Sequence, residues 1–312
     1  MIPKIVLVGG GRFGENHLRT LKKLDSSKII KLIGVIDLDP KVRQKIKKKF
    51  HVKTTNNLQY FLEQADGFDV VTPPDSHYKL VKFLLKKNKH VFVEKPLTLK
   101  SKQSEELISL ARKNKKILQV GHIFRYNETI SFLKKLIKKN DMPYYIIASF
   151  LQDRIQGHDT GAIFIFMHGF DILDNLVNSD PISVNGVANL YSKKTNREIN
   201  SFVLLQYKKL NALVNVGFIP SGKRRSIEIF SKKRHIICDL VDQQIMIYKK
   251  NKLNQKFMIK QKKEPLTLEL KDFVKCIKNN SKPLADGKIA SRIVRICELA
   301  TQSIQSKKSL RF

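Results

Sequence analysis

Six residues near the amino terminus have the types and spacing for phosphate chemistry. Gly9-Gly10-Gly11-Arg12-Phe13-Gly14 follows the apolar run Lys4-Ile5-Val6-Leu7-Val8 and opens a helical pattern from Glu15 to Leu24. Gly9 suits a tight turn out of a strand. Gly11, lacking a Cβ, lets the backbone approach a pyrophosphate, and Gly14 lets helix and strand pack closely. The N–H groups at the helix start then face the phosphate charge, with Arg12 and Phe13 inside the turn as further cofactor contacts. A second apolar run, Ile33-Gly34-Val35-Ile36, ends on Asp37. That is about the 20-residue distance expected of a ribose-binding acid. A carboxylate there accepts ribose hydroxyls and repels a 2′-phosphate, which favours NAD over NADP; Arg12 and Lys41 soften that preference.

Other chemistry-bearing residues also follow strand-like runs. Asp69-Val70-Val71 leads into Thr72-Pro73-Pro74-Asp75-Ser76-His77, where two prolines stop the strand. His90-Val91-Phe92-Val93 is closed by Glu94-Lys95-Pro96, and Ile117-Leu118-Gln119-Val120 by Gly121-His122. Helical patterns lie between these runs. The alternation predicts an α/β domain over residues 1–123, a doubly wound parallel Rossmann sheet whose ligands gather at the carboxyl ends of strands. One rim therefore collects 9–14, Asp37, Thr72, Pro73, His77, 94–96 and 121–125.

From residue 124 the pattern changes. The sequence predicts a helix over 127–139, a strand over 144–150, a loop carrying Arg154, and a buried helix over 160–176 with His168, Asp171 and Asp174. Strands then follow at 183–190, 200–207, 212–219, 226–230, 235–240 and 244–248, with helices returning at 266–278 and 287–306. This predicts a second, α+β domain over 124–312 with an open, largely antiparallel sheet. An open face needs cover, so a homodimer or homotetramer is expected.

The chain has 312 residues, 42% of them hydrophobic, which suits a globular protein with two cores. No apolar run is long enough for a membrane span. The first residues enter a strand without a signal-peptide layout, and Cys238, Cys276 and Cys297 match neither a metal spacing nor a disulfide framework. A cytoplasmic location and no metal are the expectation. The net charge of +33 invites a nucleic-acid reading. The lysines are spread through nearly every helix and no aromatic stacking motif accompanies them, which argues for solvated faces and against a nucleic-acid partner. The field would still draw in anionic substrates.

Together these residues resemble the Gfo/Idh/MocA oxidoreductases. The resemblance covers essentially the whole chain and rests on 9–14, Val71-Thr72-Pro73-Pro74 with His77, Glu94-Lys95-Pro96, and Gly121-His122-Ile123-Phe124-Arg125-Tyr126-Asn127. The last stretch is similar to the branch acting on nucleotide sugars such as UDP-N-acetylhexosamines. So is Pro220 followed by Lys223-Arg224-Arg225. The resemblance implies an NAD-dependent oxidation of a secondary sugar hydroxyl. Lys95 would stabilise the reacting oxygen and His168 would be the general base. Thr72, Pro73, His77 and Glu94 would line the cofactor groove. Arg125, Tyr126, Asn127, Arg154 and Asp171 would serve substrate binding, with Lys223 a further diphosphate contact. The family's orienting Asp four residues before the base is replaced here by Phe164, with Asp171 as a substitute three residues after it. That departure supports an alternative, an NAD-binding regulatory or scaffold protein with weakened catalysis.

Overall fold

A computed structural model of the protein describes residues 2–137, 141–153, 161–193 and 195–312. The chain runs β1 (Lys4–Val8), α1 (Arg12–Ser26), β2 (Lys31–Ile36), α2 (Pro40–Phe50), β3 (Thr54–Thr55), α3 (Gln59–Leu62), β4 (Gly67–Val70), α4 (Pro74–Lys86), β5 (His90–Glu94), α5 (Ser101–Lys113) and β6 (Leu118–Gly121). A 3-10 turn at Ile123–Tyr126 leads to α6 (Glu128–Leu136), β7 (Pro143–Gln152), α7 (Gly161–Ile165) and α8 (His168–Val177). Then come β8 (Ser183–Val187), β9 (Asn200–Gln206), β10 (Asn211–Phe218), β11 (Lys223–Ser231), β12 (His235–Asp239), β13 (Gln244–Lys249) and β14 (Lys252–Met258). The chain closes with α9 (Pro265–Asn279), α10 (Gly287–Ser306) and β15 (Leu310–Arg311). Two compact units result: Met1–Ile123 with Lys263–Val294, and Phe124–Lys262 with Arg295–Phe312.

The first unit is built on a six-stranded sheet in the order β3-β2-β1-β4-β5-β6, with every pairing parallel. Parallel strands covered on both faces need continuous apolar runs. Val6, Leu7, Phe68, Val70, Val91, Phe92 and Val93 accordingly have no exposed surface. The strand order reverses between β1 and β4, which is where such sheets open a crevice for ligands. The first unit also takes in 263–294, a segment that periodicity alone placed with the second domain. Its apolar face decides the matter: Leu266, Leu270, Phe273, Val274 and Cys276 of α9 join the core of Ile5, Leu7 and Leu21, with Phe273 edge-on to Phe92.

The second unit is built on a nine-stranded sheet in the order β14-β13-β12-β11-β7-β10-β9-β8-β15. Only β7 and β10 pair in parallel among the described strands. The expected open, largely antiparallel sheet is thus present. Burial alternates along its strands, most cleanly in β9. One face, with Ala148, Phe150, Val214, Val216, Ile227 and Ile229, is buried; the other leaves Phe202 and Leu204 nearly half exposed.

The two-residue strand β3 pairs with the end of β2. Two local features depart from the expectations. The helix expected over 160–176 breaks at Phe166-Met167 into α7 and α8. The strand β14 was not anticipated: it is an edge strand exposed at nearly every residue, so no alternation marks it.

Candidate active site

The first turn of α1 builds the phosphate cradle of the first unit. Gly9 has φ +96°, and a Cβ there would lie 2.5 Å from the Val71 carbonyl oxygen. Gly14 abuts the Gly9 carbonyl with no room for a side chain. Protein packing therefore requires glycine at both positions. Gly11 differs: nothing lies within 4 Å of where its Cβ would be. Gly11 is also the N-cap of α1 and offers no side-chain cap, so the first-turn N–H groups have no capping side chain. An open glycine before an uncapped 15-residue helix fits a bound pyrophosphate.

Asp37 sits beside this turn. Its Oδ2 accepts the Gly10 N–H at 2.7 Å and its Oδ1 the Asp39 N–H at 2.8 Å. These bonds aim the carboxylate and leave each oxygen a lone pair for ribose hydroxyls. Asp39 caps α2 by accepting the Lys41 N–H, and Arg43 Nη1 donates to the carbonyls of Asp37 and Leu38. The loop bearing the acid is thus held from both sides. Arg12 and Phe13 are exposed at the mouth of the turn.

At the ends of β4 and β5 the first unit holds a buried ion cluster that the sequence reading missed. His17 of α1 donates from Nδ1 to Asp69, 2.9 Å to Oδ2, and from Nε2 to Glu94 Oε1 at 3.2 Å. Burial opposes charge on this ring, but the attraction and hydrogen bonds of Asp69 and Glu94 raise its pKa to about 10. An imidazolium between two carboxylates results. Glu94 Oε2 in turn accepts the Lys95 N–H at 3.1 Å. The fingerprint helix therefore orients the Glu94-Lys95-Pro96 turn, whose Lys95–Pro96 peptide is cis. One signal was available: Asp69 is a charged residue inside an otherwise apolar strand, and such a residue needs a partner.

The expectation that His77 lines a cofactor groove is corrected. It has no exposed surface, and its Nδ1 and Nε2 lie 2.7 and 2.8 Å from the carbonyl oxygens of Pro96 and Thr72. Burial holds its pKa down while the two carbonyls pull it up. His77 staples the loop after β4 to the loop after β5 and reaches a ligand only through them. Thr72 bonds Ser76 at 2.6 Å, and Pro73 is exposed beside it.

The second unit brings together the other sequence-predicted residues. Arg125 is buried, with Nε donating to Asp171 Oδ1 at 2.6 Å and Nη2 to Asp174 Oδ2 at 2.5 Å. Burial pushes the Asp171 carboxyl up to about 6 against the pull of Arg125. Arg125 and Asp171 therefore hold each other, clamping the 3-10 turn to α8. Asn127 caps α6 by accepting the Ile130 N–H at 3.1 Å, and Tyr126 is half-buried in the turn. His168 opens α8 and packs edge-on to Phe124 with ring centroids 5.0 Å apart. Phe164 lies across the helix break in α7 and is buried. Glu198, unforeseen, accepts the Ile163 N–H at the start of α7. Arg154 lies outside the described residues. Among those described, no group of His, Cys, Asp and Glu is placed to hold a metal, and no helix is long and apolar enough to cross a membrane.

An uncapped glycine turn, an acid after β2 hydrogen-bonded to that turn and a 3-2-1-4-5-6 parallel sheet are the features of a dinucleotide-binding Rossmann unit, here joined to a mixed-sheet α+β unit. Residues 3–122 match the Gfo/Idh/MocA family, described as an oxidoreductase family with an NAD-binding Rossmann fold. That match bears out the family resemblance of the sequence motifs over those residues. Several relatives are distant but match over nearly the whole chain. UDP-N-acetylglucosamine 3-dehydrogenase from Acidithiobacillus ferrooxidans is 22% identical over 91% of this chain and 93% of its own. A solved structure of that enzyme superposes with a TM-score of 0.87 over 98% of this chain and 99% of its own, at 19% identity. Myo-inositol 2-dehydrogenase from Thermotoga maritima is 23% identical over 99% of this chain and 98% of its own. The WlbA dehydrogenase of Bordetella pertussis, solved with NADH and UDP-GlcNAcA, superposes with a TM-score of 0.85 at 19% identity, covering 100% of this chain and 97% of its own.

Proposed function

We propose that this protein is an NAD-dependent dehydrogenase that oxidises a secondary hydroxyl of a sugar, and that the sugar is a nucleotide sugar of the UDP-N-acetylhexosamine kind. The observation that carries the cofactor half is Gly11, open where a Cβ would stand, before an uncapped helix and beside an aimed Asp37. Asp37 supports NAD over NADP, because a 2′-phosphate would meet its carboxylate. The nucleotide-sugar half is supported by the A. ferrooxidans enzyme, named for a UDP-sugar, and the B. pertussis enzyme, solved with one.

Bound nicotinamide supplies the hydride acceptor. Lys95, at the end of β5 with its backbone held by Glu94, hydrogen-bonds the substrate oxygen and stabilises its developing negative charge. His168, at the start of α8, takes the hydroxyl proton. Homodimers or homotetramers form through the open face of the nine-stranded sheet, where Phe202, Leu204 and Val187 are 48%, 40% and 52% exposed.

The test is nicotinamide absorbance with NAD and a panel of sugars, sugar phosphates and UDP-sugars, wild type beside His168→Ala. NADH formed with UDP-sugars and reduced at least about 100-fold in the variant is expected. A second reading, an NAD-binding regulatory or scaffold protein, is favoured by the buried Phe164 and the break between α7 and α8. Robust turnover that disappears in His168→Ala rules it out.

A further inference from the structure

Among the described arginines of the second unit, Arg225 is set apart by being half-buried without a carboxylate to meet its charge. Arg125 is held by Asp171 and Asp174, and Arg234 by Asp141 at 2.6 Å. Arg224 reaches Glu228 at 3.2 Å. Arg225 is half-buried, yet it pairs with no carboxylate among the described residues. Its guanidinium instead stands over the Phe124 ring, 5.9 Å from the centroid.

Its position is informative. Arg225 registers with Phe150 of β7 and shares the face of Ile227 and Ile229, which is the buried face of the sheet. His168 packs against the same two rings, 5.0 Å from Phe124 and 6.3 Å from Phe150 between centroids. Lys223, two residues earlier on β11, shares the face of Arg225. Burial lowers the pKa of both cations, and for Lys223 the charge of Arg225 lowers it further. An exposed Lys223 and a half-buried Arg225 thus repel each other along β11, without a counter-charge from the described residues, and Arg225 shares the Phe124 ring with the proposed base. Water and the Phe124 ring stabilise this guanidinium in part, and an arriving anion would meet its charge in full. A guanidinium fork matches the paired oxygens of a phosphate or carboxylate.

We propose that Arg225, with Lys223 beside it, is the anion-recognition point of the substrate site, and that the substrate therefore carries a phosphate or a carboxylate. The assignment deepens the dehydrogenase reading and rests on it for the role of His168. It also separates the two kinds of relative, since a neutral polyol offers Arg225 no partner.

The experiment titrates UDP, glucose 6-phosphate, glucuronate and glucose into the full chain, with and without NADH. Wild type is compared with Arg225→Gln and Arg224→Gln. The two variants remove the same charge from adjacent residues whose side chains take opposite faces of β11. Wild type should bind at least one anion more tightly than glucose. Arg225→Gln should weaken that anion at least about tenfold, as expected for a lost charged hydrogen bond. Arg224→Gln should weaken it by less than about twofold, as expected for an exposed ion pair. The probe that responds distinguishes phosphate from carboxylate. Equal weakening in both variants would assign binding to the overall positive field and overturn the proposal, as would glucose binding as tight as the anions. If Arg225→Gln does not fold, Arg225→Lys keeps the charge and loses the fork. A loss of about threefold or more in that variant supports the assignment, and none overturns it. NADH titration reads the other proposal separately: a wild type that binds no NADH defeats the dehydrogenase reading, while the anion titrations still decide Arg225.

Discussion

Gly9 and Gly11 look equivalent in the sequence and differ in what demands them. Gly9→Ala forces a Cβ onto the Val71 carbonyl at positive φ and should destabilise the first unit by about 2–4 kcal/mol. Gly11→Ala meets open space at φ −60° and should melt like wild type while weakening NADH binding about tenfold or more. Thermal melts beside NADH fluorescence titrations check both; equal effects on stability would sink the distinction. His17 is the second residue-scale case. Its folded pKa of about 10 lies above the ordinary 6.5. Its contribution to stability is therefore complete below about pH 6.5 and is lost as pH rises towards 10. His17→Leu leaves the buried Asp69 and the partly buried Glu94 without their cation and should cost about 3–5 kcal/mol at neutral pH. Urea unfolding across that pH window should show a declining wild type and a variant without that component.

At the scale of elements, the break between α7 and α8 decides how the chemistry is presented. A continuous helix would set residues 164 and 168 on one face. The break makes His168 the first residue of α8, whose next turn is clamped by Arg125. Arg125→Ala should leave two buried carboxylates facing each other and destabilise the second unit by about 3–5 kcal/mol. Arg125→Ala combined with Asp171→Asn should recover part of that loss, because one of the stranded charges is gone. Chemical denaturation of the single and double variants measures this directly, and a double variant as unstable as the sum of its parts would contradict the clamp.

At the scale of the molecule, +33 charges and an open apolar sheet face pull in opposite directions. Charge keeps copies apart, whereas exposed Phe202 and Leu204 favour burial. If that face carries the oligomer, Phe202→Lys should shift the protein to a smaller species by light scattering, and more so at low salt, where repulsion is less screened. An unchanged mass would place the interface elsewhere.

Contact along the chain explains what the sequence by itself determined. The glycine turn, Asp37 and Glu94-Lys95-Pro96 were legible as turns after strands because each is a short run of neighbouring residues. The parallel sheet was legible because its strands are continuous apolar runs, and the family domain because those runs and turns occur in order. Tertiary structure alone decided the pairings. His17 meets Asp69 and Glu94 from another element, Arg125 meets Asp171 and Asp174 from a distant helix, and α9 returns to the first core. It also decided which cation meets which group: Lys223-Arg224-Arg225 is one basic run in sequence, but strand alternation sends Arg224 to Glu228 and Arg225 to the ring beside His168. Local pattern encodes elements and turns, whereas charge balance is settled only when the elements pack.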